Sequence, residues 1–109
     1  MFTSEEKLRD ALVAAGKSTG EQVWPMPIDG EYRESVLSEV ATAKNSGYRE
    51  GGACCAASFL KMWAEETPFV HFDIAGVAWT TKPPAHLEGG ATGYGIRLTL
   101  AALRAGLPL

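Results

Sequence analysis

The sequence predicts an α/β chain that is rich in helix and carries one or two buried strands. Phe69 to Ala75 (FVHFDIA) has the length and residue types of a strand covered on both faces. Ala53 to Ala64 (ACCAASFLKMWA) reads as a helix that is apolar on nearly every side, which belongs inside a layered structure rather than on a surface. Segments near both ends of the chain place apolar residues at helical spacing among polar ones.

In chain order, Ser4 is a good helix N-cap, and Glu5 and Glu6 fall in the first turn, where the helix dipole favours negative charge. Leu8, Leu12 and Val13, with Ala11 and Ala15, form one apolar stripe, and Gly16 supplies a stop. Gln22 to Ile28 (QVWPMPI) contains two prolines and reads as an extended connector, not a central strand. Asp29-Gly30 is a turn. Glu31 to Val40 forms a second amphipathic helix, with Tyr32, Val36, Leu37 and Val40 on one side. Lys44 to Gly52 (KNSGYREGG) is a glycine-rich loop leading into the buried helix. After the strand, Gly76 to Thr81 either continues it or bends away, Lys82 to Gly90 is a loop, and Ala91 to Ala105 closes the chain as a helix. A lone central strand has no neighbours for its backbone donors and acceptors. Its sheet partners are expected from upstream sequence or from another chain.

Charge and composition exclude several classes. Over 109 residues, 10 Lys and Arg against 13 Asp and Glu give a net charge of −3. The two signs are interspersed, and this is not the clustered basic surplus of a nucleic-acid binder. No apolar run approaches a membrane span. Met1-Phe2-Thr3 runs straight into Ser4-Glu5-Glu6 with no basic region and apolar core, so the expected compartment is the cytoplasm. Cys54 and Cys55 are adjacent, a geometry that strains a disulfide, and they are read as buried free thiols.

Local motifs carry little chemistry. Gly16-Lys17-Ser18 lacks the upstream glycine of a phosphate loop, since Ala11 stands there. Ser58-x-x-Lys61 matches an acyl-enzyme nucleophile motif without its companions. Gly89, Gly90, Gly93 and Gly95 precede a helix at a spacing that is not a dinucleotide fingerprint, and close backbone approach is the preferred reading. His71 and Asp73 share one face of the expected strand, but two ligands do not make a metal site, and His86 in a loop is the other histidine. A buried hydrogen-bonded couple, or two residues that each contact a neighbouring element, is preferred.

Several segments, in order, resemble the leucyl (cytosol) aminopeptidases: Val23 to Pro27 (VWPMP) with Glu31-Tyr32, Lys44 to Ala53 (KNSGYREGGA) with Ala56 to Leu60 (AASFL), His71 to Trp79 (HFDIAGVAW), and Gly90 to Leu98 (GATGYGIRL). The resemblance spans nearly the whole chain. It implies the C-terminal fragment of a three-layer α/β/α aminopeptidase domain, with residues 1–109 forming part of one peptidase catalytic domain and no second domain. It further implies an enzyme that uses two divalent metal ions, zinc or manganese, to release N-terminal amino acids from peptides.

The family's signature Asn-Thr-Asp-Ala-Glu-Gly-Arg is absent, and Asp29 and Asp73 do not match its ligand positions. By this resemblance, no catalytic or metal-binding residue and no cofactor is expected of this chain alone. Ala75 and Ala78 match the wall of the pocket for the substrate's N-terminal side chain. Ser46 stands where relatives often carry an apolar residue at that pocket, and Cys55 stands where threonine is frequent. Met1 to Ser4 resembles an internal segment of the family. The expected partners are the upstream part of the catalytic domain, a peptide substrate and, from the family's hexamers, further copies. On this reading the isolated chain is inactive. The alternative is a stand-alone, non-catalytic interaction or assembly module; a small hydrolase using Ser58 or the cysteines is remote.

Overall fold

A computed structural model of the chain describes residues 1–85 and 88–107; His86 lies outside the described residues. The first helix, α1 (Glu6–Thr19), buries Leu8, Leu12, Ala15 and Gly16. Gly16 does not end it. A Cβ there would meet the Glu21 carbonyl oxygen at 2.8 Å and Leu98 Cδ1 at 3.0 Å, so this glycine permits close packing within the helix. The stop is Gly20, in the left-handed region at φ 77°. Ser4 is not the cap either: Glu5 occupies that position with no side-chain cap bond, while its own N–H donates to Thr3 Oγ1 at 3.1 Å.

The second helix is a single turn and a half, α2 (Glu31–Ser35), where the sequence predicts a helix to Val40. Val36 is buried, but Leu37 and Val40 are exposed. The chain leaves the helix because Ser38 Oγ accepts from the N–H groups of Val40 and Ala41 at 3.3 and 3.1 Å, a local alternative to helical bonding. The third helix, α3 (Gly52–Lys61), is also shorter than predicted, and is not apolar all round in its setting. Cys54, Cys55, Ala57 and Ser58 are buried, while Leu60 and Trp63 stand exposed. The last helix, α4 (Ile96–Arg104), begins five residues later than the pattern predicts. Gly93 and Gly95, at φ 66° and 94°, hold the preceding turn in conformations that side chains disfavour.

Phe2 is the hub of a small ladder. It exchanges both backbone hydrogen bonds with His71, each 2.9 Å, and on its other side Met26 donates to the Met1 carbonyl at 2.9 Å. The pairing is antiparallel to His71 and parallel to Met26. The predicted strand from Phe69 is therefore extended up to a turn that already includes Ala75, but it is half-buried to exposed and makes one bridge rather than a full central strand. Strand β1 (Trp79–Thr80) and strand β2 (Gly90–Ala91) form a separate antiparallel pair, so the chain after Gly76 bends away.

Helices cover both faces of the ladder. Met1, Val70 and Phe72 pack with α1 and α4 around Leu8, Leu12, Leu98 and Ala102. Phe2, Phe69 and Ile28 pack with α3 around Cys54 and Ala57. Neighbouring residues Met1 and Phe2, and likewise Phe69 and Val70, thus divide between the two cores, as alternation along extended backbone requires. The α/β class and its layering follow from this division.

Candidate functional site

The glycine-rich loop between α2 and α3 borders a groove of about 460 Å³ with mixed chemistry. Asn45, Ser46, Tyr48 and Arg49 line it from the loop, Cys55, Ala56, Phe59 and Leu60 from α3, and Val36 from the end of α2. The loop is fixed by close approach. A Cβ on Gly47 would fall inside the Ser35 hydroxyl and lie 2.9 Å from Cys55 Cβ. Gly51, at φ 67°, would meet the Tyr32 ring at 2.8 Å. The Ser35 hydroxyl donates to the Tyr32 carbonyl at 2.7 Å and lies 3.2 Å from Cys55 Sγ. Both cysteines are free and buried, and act as small core residues. Ser46 and Cys55 thus share one groove, with Tyr48, Arg49, Phe59 and Leu60, which residue pattern did not single out.

Ala75 and Ala78 lie elsewhere, on the turn that follows the extended segment. Asp73 Oδ1 accepts from Ala75 N–H at 3.0 Å, and the Ile74 carbonyl accepts from the N–H groups of Val77 and Ala78, each at 2.9 Å. Thr92 clamps the turn from β2: its N–H donates to the Ala78 carbonyl at 2.9 Å and its hydroxyl to the Val77 carbonyl at 2.6 Å. Ala75 is exposed and Ala78 half-buried. Val77, between them, lines a hollow of about 320 Å³ shared with Met1, Trp24, Asp73 and Tyr94. Neither alanine lines the glycine-loop groove.

The tempting polar pairs have partners. The buried Ser58 hydroxyl donates to the Ile28 carbonyl, and Lys61 Nζ is held by Asp29 at 3.0 Å and by Ser4 Oγ at 2.9 Å, so neither group is poised for acyl transfer. The His71 ring packs on the Phe2 ring, centroids 5.7 Å apart. Burial lowers the His71 pKa below its ordinary value, against the raising effect of Asp73, with the terminal amine lowering it further. Among the described residues no group of three or more His, Cys, Asp or Glu is placed to hold a metal ion, so the donors present do not fit a metal centre.

Glu21 is the strongest polar anchor, and it lay unmarked in the linker after the first helix. Its carboxylate accepts from the N–H groups of Gly95 and Leu98 at 3.1 and 2.9 Å and from Arg97 Nε at 3.0 Å. It thereby caps α4 from a distant segment. Burial raises its pKa, but the donations from Leu98, Arg97 and Gly95 outweigh that, and it ends below the ordinary carboxylate value. Tyr94 Oη adds a bond to the Gln22 carbonyl.

A family model described as "Cytosol aminopeptidase family, catalytic domain" matches residues 1–100. A "Probable cytosol aminopeptidase" of Roseiflexus castenholzii is 46% identical over 105 residues, covering 95% of this chain and 22% of its own length. The chain therefore spans about a fifth of the length of such curated relatives. Among solved structures, a tomato leucine aminopeptidase mutant superposes with a TM-score of 0.82 at 36% identity, over 94% of this chain and 20% of that one. The bottromycin maturation enzyme BotP in complex with Mn gives 0.85 at 33% identity, over 95% and 23%.

Proposed function

The chain belongs to the cytosol aminopeptidase family, and we propose that it forms the framework and part of the pocket wall in the catalytic domain of a leucyl aminopeptidase. The enzyme would release N-terminal amino acids from peptides. The observation that carries this reading is the match of the catalytic-domain model to residues 1–100, joined to 46% identity with a relative over 105 residues. By the family resemblance, Ala75 and Ala78 are assigned to the wall around the substrate's N-terminal side chain; they sit on a turn held from both sides by Asp73 and Thr92. Ser46 and Cys55 border the separate loop groove.

Two divalent metals, zinc or manganese, would activate water and polarise the scissile carbonyl. Their ligands and the catalytic residues are assigned to the rest of the domain, because the described residues hold no fitting donor cluster. The compartment proposed is the cytoplasm; no described helix is long and apolar enough to cross a membrane.

On a leucine-linked chromogenic substrate with manganese or zinc, the 109-residue chain alone is expected to give no turnover, and co-expression with the rest of a relative's catalytic domain is expected to restore it. Ala78→Trp in the restored enzyme should lower kcat/KM for the leucine substrate by on the order of tenfold or more, through lost pocket volume. Turnover by the purified chain alone would overturn the reading. A second reading, a non-catalytic assembly module, draws on the exposed Trp24, Val40, Trp63 and Trp79. Its mark is a complex that forms and never turns over substrate.

A further inference from the structure

The run Gly90 to Gly95 joins a fixed part of the molecule to the turn that carries Ala75 and Ala78. At its far end it enters α4, where the buried Glu21 carboxylate accepts from the N–H groups of Gly95 and Leu98 at 3.1 and 2.9 Å. The Tyr94 hydroxyl donates to the Gln22 carbonyl next to it. This end is therefore tied to the linker after α1 and, through Leu98, to the α1–α4 core. Gly93, at φ 66°, gives the run its bend directly after Thr92.

Thr92 is the link between that anchor and the turn. Its Oγ1 donates to the Val77 carbonyl at 2.6 Å and accepts from the Tyr94 N–H at 3.2 Å. Its backbone N–H donates to the Ala78 carbonyl at 2.9 Å. A hydroxyl carries one donor and two acceptor lone pairs, so a single side chain bridges the two segments. Beyond Ala78 they are joined by a ladder of two residue pairs, Trp79 with Ala91 and Thr80 with Gly90. So short a ladder holds little by itself, and the position of the turn depends on Thr92. Ala75 has an anchor within its own segment, since Asp73 Oδ1 accepts its N–H, whereas the carbonyls of Val77 and Ala78 are held by Thr92. Thr92 is exposed and belongs to neither hydrophobic core. Loss of its hydroxyl thus frees the turn and leaves the cores intact.

We infer that Thr92 is a positioning residue for selectivity at the substrate's N-terminal side chain, its hydroxyl setting where the Val77–Ala78 segment stands relative to α4. The inference rests on the assignment of Ala78 to the pocket wall and adds the residue that places it. Thr92 acts through the wall and not on the reacting atoms. A displaced wall weakens the binding of a side chain long enough to reach it, and leaves the scissile bond where it was. Its mark is a change in KM and in discrimination between side chains, with kcat nearly kept.

The test uses the enzyme restored by co-expressing the chain with the rest of a relative's catalytic domain, assayed on leucine- and alanine-linked chromogenic substrates. Thr92→Val removes the hydroxyl and keeps the shape and the backbone N–H. It is expected to raise KM for the leucine substrate about fivefold, the factor of one ordinary hydrogen bond, with kcat within about twofold. The alanine methyl reaches less far and its KM should change by less than about twofold, so the leucine-to-alanine ratio of kcat/KM falls. Thr92→Ser keeps the hydroxyl and should keep the wild-type ratio. Amide exchange at Val77 and Ala78 in the complex should quicken about fivefold in Thr92→Val and stay unchanged in Thr92→Ser. Equal losses on both substrates, or a Thr92→Val chain that no longer assembles, would mark a merely structural role and overturn the inference. Thr92→Ser behaving as Thr92→Val would deny the hydroxyl its part and overturn it as well. An active Thr92→Val complex with an unmoved ratio refutes the role of Thr92 alone. An inactive wild-type complex refutes the enzymatic reading, and this role falls with it.

Discussion

Glu21 ties the linker after α1 to the start of α4, and does so at 4% exposure. Glu21→Ala would leave the Gly95 and Leu98 N–H groups without their acceptor, a loss of about 1–3 kcal/mol by the usual cost of orphaned buried donors. A urea titration followed at a helical wavelength measures it. Because the folded-state pKa of Glu21 is lowered, its contribution is fully present above the ordinary carboxylate pKa of about 4.3 and is lost as pH falls through the lower folded value. Glu21→Gln should therefore lie below the wild type in stability at neutral pH and converge with it in acid; a gap that widens below pH ~4 contradicts the assignment. Gly47 makes a steric counterpart. Gly47→Ala forces its Cβ into Ser35 and Cys55, and should cost on the order of 1–3 kcal/mol while displacing the loop that carries Ser46.

At the scale of elements, Gly95 sits at φ 94° ahead of α4 and lends its N–H to Glu21. Gly95→Ala places a side chain in the left-handed region and should cost about 1–2 kcal/mol, read as a lowered urea midpoint with unchanged slope. Sequence pattern located what depends on local chemistry: the stripe of α1, the proline-bearing connector, the Asp29-Gly30 turn, and the extended run that starts at Phe69. It missed what depends on distant partners. Gly16 reads as a stop until Leu98 is seen against it, and Glu21 reads as linker until the N-terminus of α4 is placed beside it. The early end of α2 had a local cause in Ser38, but helical spacing of Leu37 and Val40 outweighed it on paper. Of the candidate site, Ser46, Cys55, Ala75 and Ala78 were named through the family resemblance. Their separation into a loop groove and a clamped turn is a tertiary fact that no spacing encodes.

As a whole the chain is a slab, 51 × 34 × 18 Å, with a radius of gyration of 15.7 Å. A compact domain of about 100 residues has one near 13 Å, so the mass is spread rather than closed upon a single centre. The tryptophans follow that shape: Trp24, Trp63 and Trp79 are 75%, 57% and 68% exposed, and they are the only tryptophans in the sequence. Indole emission reports the polarity around the ring, and here the rings already face water in the folded chain. Unfolding the isolated chain in urea should therefore remove its helical circular dichroism while moving the tryptophan emission maximum little. Joining the rest of a catalytic domain should shift that maximum to shorter wavelength, because the new contacts take indole surface out of water. A large red shift on unfolding the chain alone would show that its tryptophans are covered in solution, by a second copy or by a different fold. Sedimentation at the same protein concentration tells those apart: a doubled mass for the copy, an unchanged mass for the refolded monomer.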